Sequence, residues 1–185
     1  GIYNFSLPFS RKMNNVYGPF AGYTCCTANM HQGWPKYISH LWYATTDGGV
    51  AALVYGPNKL QTTLPNGVGL TIDEQTQYPF EDQIKFIIQP AKSSEFPIEF
   101  RVPIWCKEAI IHVNGKEIKR EKGGQIVRIK RTWNKNDQVD LFFPNEITTK
   151  NWAKNSRSIE KGALIYALKI KEEVTKQIHP QEGEY

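Results

Sequence analysis

The chain has 185 residues, a net charge of +5, 40% hydrophobic and 22% charged residues, a balance that excludes a disordered chain and leaves room for one domain or one and a half. No apolar run approaches the roughly 18 residues of a membrane span, so no membrane partner is expected. The positive charge is not gathered either: the densest basic stretch, Lys116 to Arg131, is broken by Glu117, Glu121, Gly123 and Gly124, which reads as a solvated strand face and excludes a nucleic-acid partner. The chain opens Gly1-Ile2-Tyr3 without methionine, and the expectation is that it begins partway through a longer protein.

In chain order, residues 1–22 read as irregular chain broken by Pro8, Gly18 and Pro19. Met30, Trp34, Ile38, Leu41 and Trp42 then recur at spacings of three and four, one apolar face of a helix that Pro35 interrupts or kinks. That face, with Tyr37 and Tyr43, needs more protein to cover it than a lone helix provides. The character changes near Asp47-Gly48-Gly49. From there the period falls to two, with strands expected at residues 50–55, 59–64, 69–75, 84–89, 98–102, 109–113, 116–119, 125–131, 138–143 and 163–170. Asn114-Gly115 between alternating segments predicts a type I′ hairpin, and Asn66-Gly67, Gly123-Gly124 and Asn136-Asp137 supply further turns. Many short strands with no intervening helix predict a mainly β fold, an antiparallel β-sandwich of jelly-roll type. The expected organisation is residues 1–47 as the end of a helical domain and residues 48–185 as the sandwich.

Chemistry concentrates in Thr24-Cys25-Cys26-Thr27-Ala28-Asn29-Met30-His31-Gln32-Gly33-Trp34-Pro35. Neighbouring Cα atoms are about 3.8 Å apart, whereas a disulfide wants roughly 5.5 Å, so Cys25 and Cys26 are poor partners for each other. The third cysteine, Cys106, sits in apolar Val102-Pro103-Ile104-Trp105 and reads as a small buried hydrophobe. A helix cap at Thr24 would put the pair in a first helical turn, where the macrodipole favours thiolates. Two such thiolates repel unless a cation lies between them, and zinc is the natural choice. Of the possible further ligands, His31, His40, His112 and His179, none has a zinc-finger spacing to the pair, so the remaining ligands are expected from outside the chain. His31 and Trp34 follow closely enough to line a sugar pocket, Trp34 as a platform for an apolar sugar face.

The segment from Thr24 to Tyr37 resembles the double-cysteine segment of the β-L-arabinofuranosidase-type glycoside hydrolases, glycoside hydrolase family 127 and relatives. Three later segments match in the same order: Phe100 to Cys106 with Val113 to Lys116, Ile129 to Leu141, and Lys161 to Leu168. The resemblance implies an (α/α)6 barrel followed by β-sandwich domains, so that this chain would carry the end of the barrel and the sandwich. It implies Cys25 as the nucleophile of a retaining reaction through a thioglycosyl intermediate, and Cys25 and Cys26 as zinc ligands. It places the other zinc ligands, a glutamate and a cysteine, and the acid/base carboxylate upstream of the pair. Residues 1–24 hold no Asp, Glu or Cys that could supply them, so the chain alone is expected to be inactive. Family members often follow the pair with proline and carry an arginine a few residues on. Thr27, Ala28 and His31 stand here instead, which points to a distinct branch and leaves the sugar open. The resemblance implies a carbohydrate substrate and, as partner, the upstream barrel of the same protein. Enzymes of this type are often exported to the periplasm or the exterior, while unpaired thiols suit a reducing compartment, so location stays open. Two other readings remain: a non-catalytic carbohydrate-binding sandwich, which needs a row of exposed aromatics on one sheet face, and a structural module that stabilises a helical barrel.

Overall fold

In the computed structural model, strand alternation sets nearly all of the architecture, and the structure describes residues 2–5, 13–16, 32–169 and 171. Contacts divide the chain into two units, Gly1–Pro144 and Asn145–Tyr185.

In the first unit, β1 (Ile2–Phe5) and β2 (Met13–Val16) pair antiparallel as a small separate sheet. A short helix α1 (Gly33–Ser39) leads into β3 (Trp42–Ala44), β4 (Val50–Ala52), β5 (Asn58–Thr63), β6 (Gly69–Thr76), β7 (Gln83–Pro90), β8 (Ser94–Arg101), β9 (Glu108–Val113), β10 (Lys116–Lys122), β11 (Ile126–Trp133) and β12 (Asp137–Phe142). A six-stranded sheet runs β10-β9-β12-β7-β6-β5, and a four-stranded sheet runs β11-β8-β4-β3. Every pairing is antiparallel except β4 with β8, where Val50 stands beside Ile98 in parallel register.

The inward positions of the two sheets alternate along most strands and meet in one core. Ile84, Phe86 and Ile88 of β7, Ile111 and Val113 of β9, and Val139 and Leu141 of β12 face Phe96, Ile98 and Phe100 of β8, with Val127 and Trp133 of β11. Phe86 and Phe100 bring their ring centroids to 5.0 Å across the sandwich. Trp133 is fully buried and its indole N–H donates to the Phe96 carbonyl at 3.0 Å, which removes the one polar cost of burying it. At the β9–β10 turn both Asn114 (φ 52°) and Gly115 (φ 78°) take positive φ, as a type I′ hairpin requires.

The helical expectation is corrected. Helix α1 is seven residues long and ends at Ser39, so Leu41 and Trp42 lie beyond it. Leu41 is buried, and Trp42 opens β3 opposite Ala52, because the free edge of β4 offers it backbone partners that a further helical turn would forfeit. Pro35 does not kink the helix: it falls in the first turn, where its missing N–H costs nothing. Met30 lies outside the described residues.

In the second unit, β13 (Ile147–Asn151), a 3-10 turn (Ala153–Asn155), β14 (Arg157–Lys161) and β15 (Leu164–Tyr166) form a three-stranded antiparallel sheet in the order β13-β14-β15. Trp152 is exposed there, its indole N–H bonded to Ser158 Oγ at 2.9 Å.

Candidate functional site

Of the residues the sequence singles out, Cys25, Cys26 and His31 lie outside the described residues. Trp34 lies within them, on the first turn of α1, and is 69% exposed, with its ring edge-on to Tyr37 at 6.4 Å. Helix α1 has no buried residue and no side-chain N-cap, so seven residues of helix depend on contacts elsewhere for their position. Tyr37 supplies one: its hydroxyl donates to the Tyr55 carbonyl at 2.6 Å.

Tyr55 leads to a polar cluster inside the first unit. Leu70, Ile72 and Glu74 occupy successive inward positions of β6, so a carboxyl takes a place that the alternation reserves for an apolar side chain. Glu74 is 2% exposed. Its Oε1 accepts the Gly56 N–H at 3.0 Å and its Oε2 accepts Asn58 Nδ2 at 2.6 Å. The orientation of Asn58 is fixed from its other side: Nδ2 also donates to the Gly56 carbonyl at 2.7 Å, and Oδ1 accepts the Trp42 indole N–H at 2.9 Å. Burial pushes the Glu74 carboxyl up to about 7, against the two donors, which favour the ionised form. Tyr55, almost wholly buried, is held well above its ordinary range first by burial and then by the Glu74 charge, and its hydroxyl donates to the Arg101 carbonyl at 2.6 Å. Burial also raises Tyr37, with Glu74 adding to it. In the sequence Glu74 is marked only by the inward register of β6, and no motif surrounds it.

The remaining chemistry-bearing residues do not converge. Cys106 is buried and burial raises its thiol, as expected of a packing residue. The imidazole of His40 gives Nδ1 to the Lys36 carbonyl at 2.6 Å, and His112 lies in β9 against the edge of Phe142. Among the described residues no three His, Cys, Asp or Glu side chains are grouped to hold a metal ion. An open groove of about 240 Å³ is lined by Gln75, Thr76, Gln77, Glu81, Gln83 and Lys85, with no aromatic ring among them. The described exposed aromatics of the first unit, Trp34, Tyr37, Tyr43 and Phe80, fall on α1, on β3 and in the β6–β7 connection, and not along one sheet face as a carbohydrate-binding sandwich would need. No described helix is long and apolar enough to cross a membrane.

Comparison with solved structures agrees with this fold. A GH127 β-L-arabinofuranosidase from Geobacillus stearothermophilus T6 superposes with a TM-score of 0.69 and 22% identity, over 82% of this chain and 24% of its own. A structure described as a glycoside hydrolase gives 0.75 and 23%, over 89% and 28%. A GH127 β-arabinofuranosidase gives 0.67 and 17%, over 82% and 27%. The chain thus spans about a quarter of the length of each. No curated protein matches it. The family profile "Beta-L-arabinofuranosidase, GH127 middle domain" matches residues 49–145, more than half of the chain and nearly all of the two large sheets. The chain belongs to the GH127 middle-domain family of glycoside hydrolases.

Proposed function

We propose that this chain is the sandwich-bearing part of a retaining glycoside hydrolase that acts on β-L-arabinofuranosides or a related sugar, with Cys25 as its nucleophile. The observation that carries the reading is the order of the chain: an adjacent cysteine pair stands 23 residues before the GH127 middle-domain match begins at residue 49. In this mechanism the Cys25 thiolate attacks the anomeric carbon. A carbon–sulfur bond forms as the bond to the aglycone oxygen breaks, and that oxygen takes a proton from a carboxylic acid of the upstream barrel. Water, giving a proton back to that same carboxylate, then displaces the sulfur as thiolate, and the two inversions give net retention. Cys26 and Cys25 together suit zinc, a borderline-soft ion that takes four donors, of which they supply two. A zinc ion bound there would keep both sulfurs as thiolates near neutral pH. The other donors and the acid would come from the upstream barrel, so the chain by itself does not hydrolyse. His31 and Trp34 would line the sugar site.

The test is release of aryl aglycone from a β-L-arabinofuranoside by the whole parent protein and its Cys25→Ala variant. Loss of turnover by at least about a thousandfold in the variant is expected for removal of a covalent nucleophile. Turnover that survives in Cys25→Ala, or hydrolysis by the isolated chain, refutes the assignment.

A further inference from the structure

We propose that Tyr37, tied through Tyr55 to the Glu74–Asn58 cluster, is a positioning residue that fixes α1, the first helix after Cys25 and Cys26 among the described residues, against the sandwich. The anchor rests on the geometry of the described residues. Its effect on turnover rests on the cysteine assignment above.

Helix α1 is too short to hold itself and buries none of its residues, so its placement depends on its run into buried Leu41 and β3 and on what its side chains grip. Tyr37 grips backbone: its hydroxyl donates to the Tyr55 carbonyl, and a Cβ placed on Gly56 would come within 2.4 Å of that hydroxyl. Only glycine lets the phenol lie this close. The Gly56 N–H and carbonyl are in turn held by Glu74 and Asn58, and Asn58 by Trp42. A tyrosine eleven positions after Cys26 is thereby joined by an unbroken chain of hydrogen bonds to β5, β6 and β3.

The anchor is graded by pH because its central group is a buried acid. The ionisable groups that face Glu74 are Tyr37 from α1 and Tyr55 from the chain after β4. Arg101 of β8 and Tyr78 after β6 act on Tyr55, and Arg101 Nε is already given to the Leu53 carbonyl. Across the sheet, Glu74 stands between neutral Asn58 and Phe86. An opening that releases Gly56 and Asn58 along with Tyr37 uncovers Glu74, which the closed form keeps 2% exposed. The closed form binds its proton near pH 7 and the open form near its ordinary 4.5. Raising pH from 4.5 to 7 therefore favours opening, by up to about 300-fold, and further rise adds nothing.

The experiment is amide hydrogen exchange on the full chain between pH 4.5 and 8, corrected for intrinsic exchange and read at Gly56 and at residues 36–39, the α1 amides past its first turn. In the wild type the opening constant is expected to rise about 300-fold over this range. Glu74→Gln, which can accept from only one of its two donors, should be more open at low pH and nearly flat with pH. Tyr37→Phe should free α1 at every pH while β7 and β8 stay protected. Tyr37→Phe with unchanged exchange overturns the anchor, and a pH-independent wild type overturns the part assigned to Glu74 in it. In the parent protein, Tyr37→Phe should lower kcat at least about tenfold with KM nearly unchanged. Changed exchange with unchanged kcat overturns the positioning role alone. A parent that hydrolyses no arabinofuranoside, with the exchange pattern intact, removes the functional reading and leaves the anchor standing.

Discussion

Gly49 is a position where the sandwich leaves no room for a side chain, and Gly49→Ala should be among the most damaging one-carbon changes in the first unit. A Cβ built there lies 2.1 Å from the Pro97 carbonyl oxygen and 2.6 Å from Pro97 Cγ, whereas real Cβ atoms keep beyond 3.0 Å. The neighbour is backbone of β8, so relief requires strand separation of order 1 Å at the entry to the parallel β4–β8 pair. Val50, Ala51 and Ala52 are all buried and would move together. On one side the turn is fixed, since Thr45 N–H donates to the Gly49 carbonyl at 3.0 Å and Gly49 N–H donates to Thr45 Oγ1 at 2.9 Å. Overpacking costs about 1–3 kcal/mol, and weakening one or two of the parallel hydrogen bonds adds about 1 kcal/mol each, for a total of about 4 kcal/mol. For a unit of this size that lowers Tm by about 8–16 °C. Thermal unfolding followed by near-UV circular dichroism reads it. Gly67→Ala is the control: φ is +80° but nothing lies within 4 Å, so only backbone strain of about 1–2 kcal/mol applies. A Gly49→Ala loss under about 1 kcal/mol, or a Gly67→Ala loss as large as that of Gly49→Ala, refutes the close-approach reasoning.

Three further outcomes follow from the site. Because the folded carboxyl of Glu74 is raised from 4.5 to about 7, its burial costs nothing below pH 4.5, and stability is lost as pH rises to 7, by about 3 kcal/mol, then stays level. Exposed Asp47 and Glu117 and partly buried Glu160 are lowered by their cationic partners and act with the opposite sign, so the quantity to measure is the urea midpoint of wild type minus that of Glu74→Gln at each pH; a constant difference contradicts the prediction. Trp42→Phe keeps the edge-on contact with Phe86 but leaves Asn58 Oδ1 without its donor, and should cost about 1–2 kcal/mol in urea unfolding, whereas no loss would mean the Asn58 orientation is not held by Trp42. The Cys106 thiol, buried and raised, should resist iodoacetamide in the native chain and react in urea, and peptide mass spectrometry showing native labelling would contradict its packing role.

The sandwich was legible because a half-buried strand writes its two faces directly into alternating residues, as in Leu70, Ile72 and Ile84, Phe86, Ile88. The Asn114-Gly115 turn was legible because two successive positive φ angles restrict the choice of residue. Trp42 was misplaced because a spacing of three or four residues persists by chance past a helix end, and nothing local reveals that β4 has a free edge waiting. The parallel β4–β8 pairing was hidden for the same reason: its partners are far apart in sequence. β13 and β14 went unseen since Ile147-Thr148-Thr149-Lys150-Asn151 and Arg157-Ser158-Ile159-Glu160-Lys161 are mostly polar and exposed, with little alternation to read. At the candidate site, chemistry and support separate. The cysteine pair stands out by residue type, whereas Glu74 stands out only by register, as an acid on the apolar side of a strand.

The parallel pairing of β4 and β8 also governs when the chain can assemble. Val50 must find Ile98, 48 positions away, with the β5–β6–β7 meander lying between them. Closing such a loop costs chain entropy before any contact rewards it, so pairings of this kind form late and local hairpins form first. The β3–β4 hairpin has no sheet to join until β8 is in place, and the Tyr55 hydroxyl waits for the same strand, since it donates to the Arg101 carbonyl. Tyr37 takes its hold on the carbonyl of that same Tyr55. The order of closure therefore places α1 among the last parts of the first unit to be fixed.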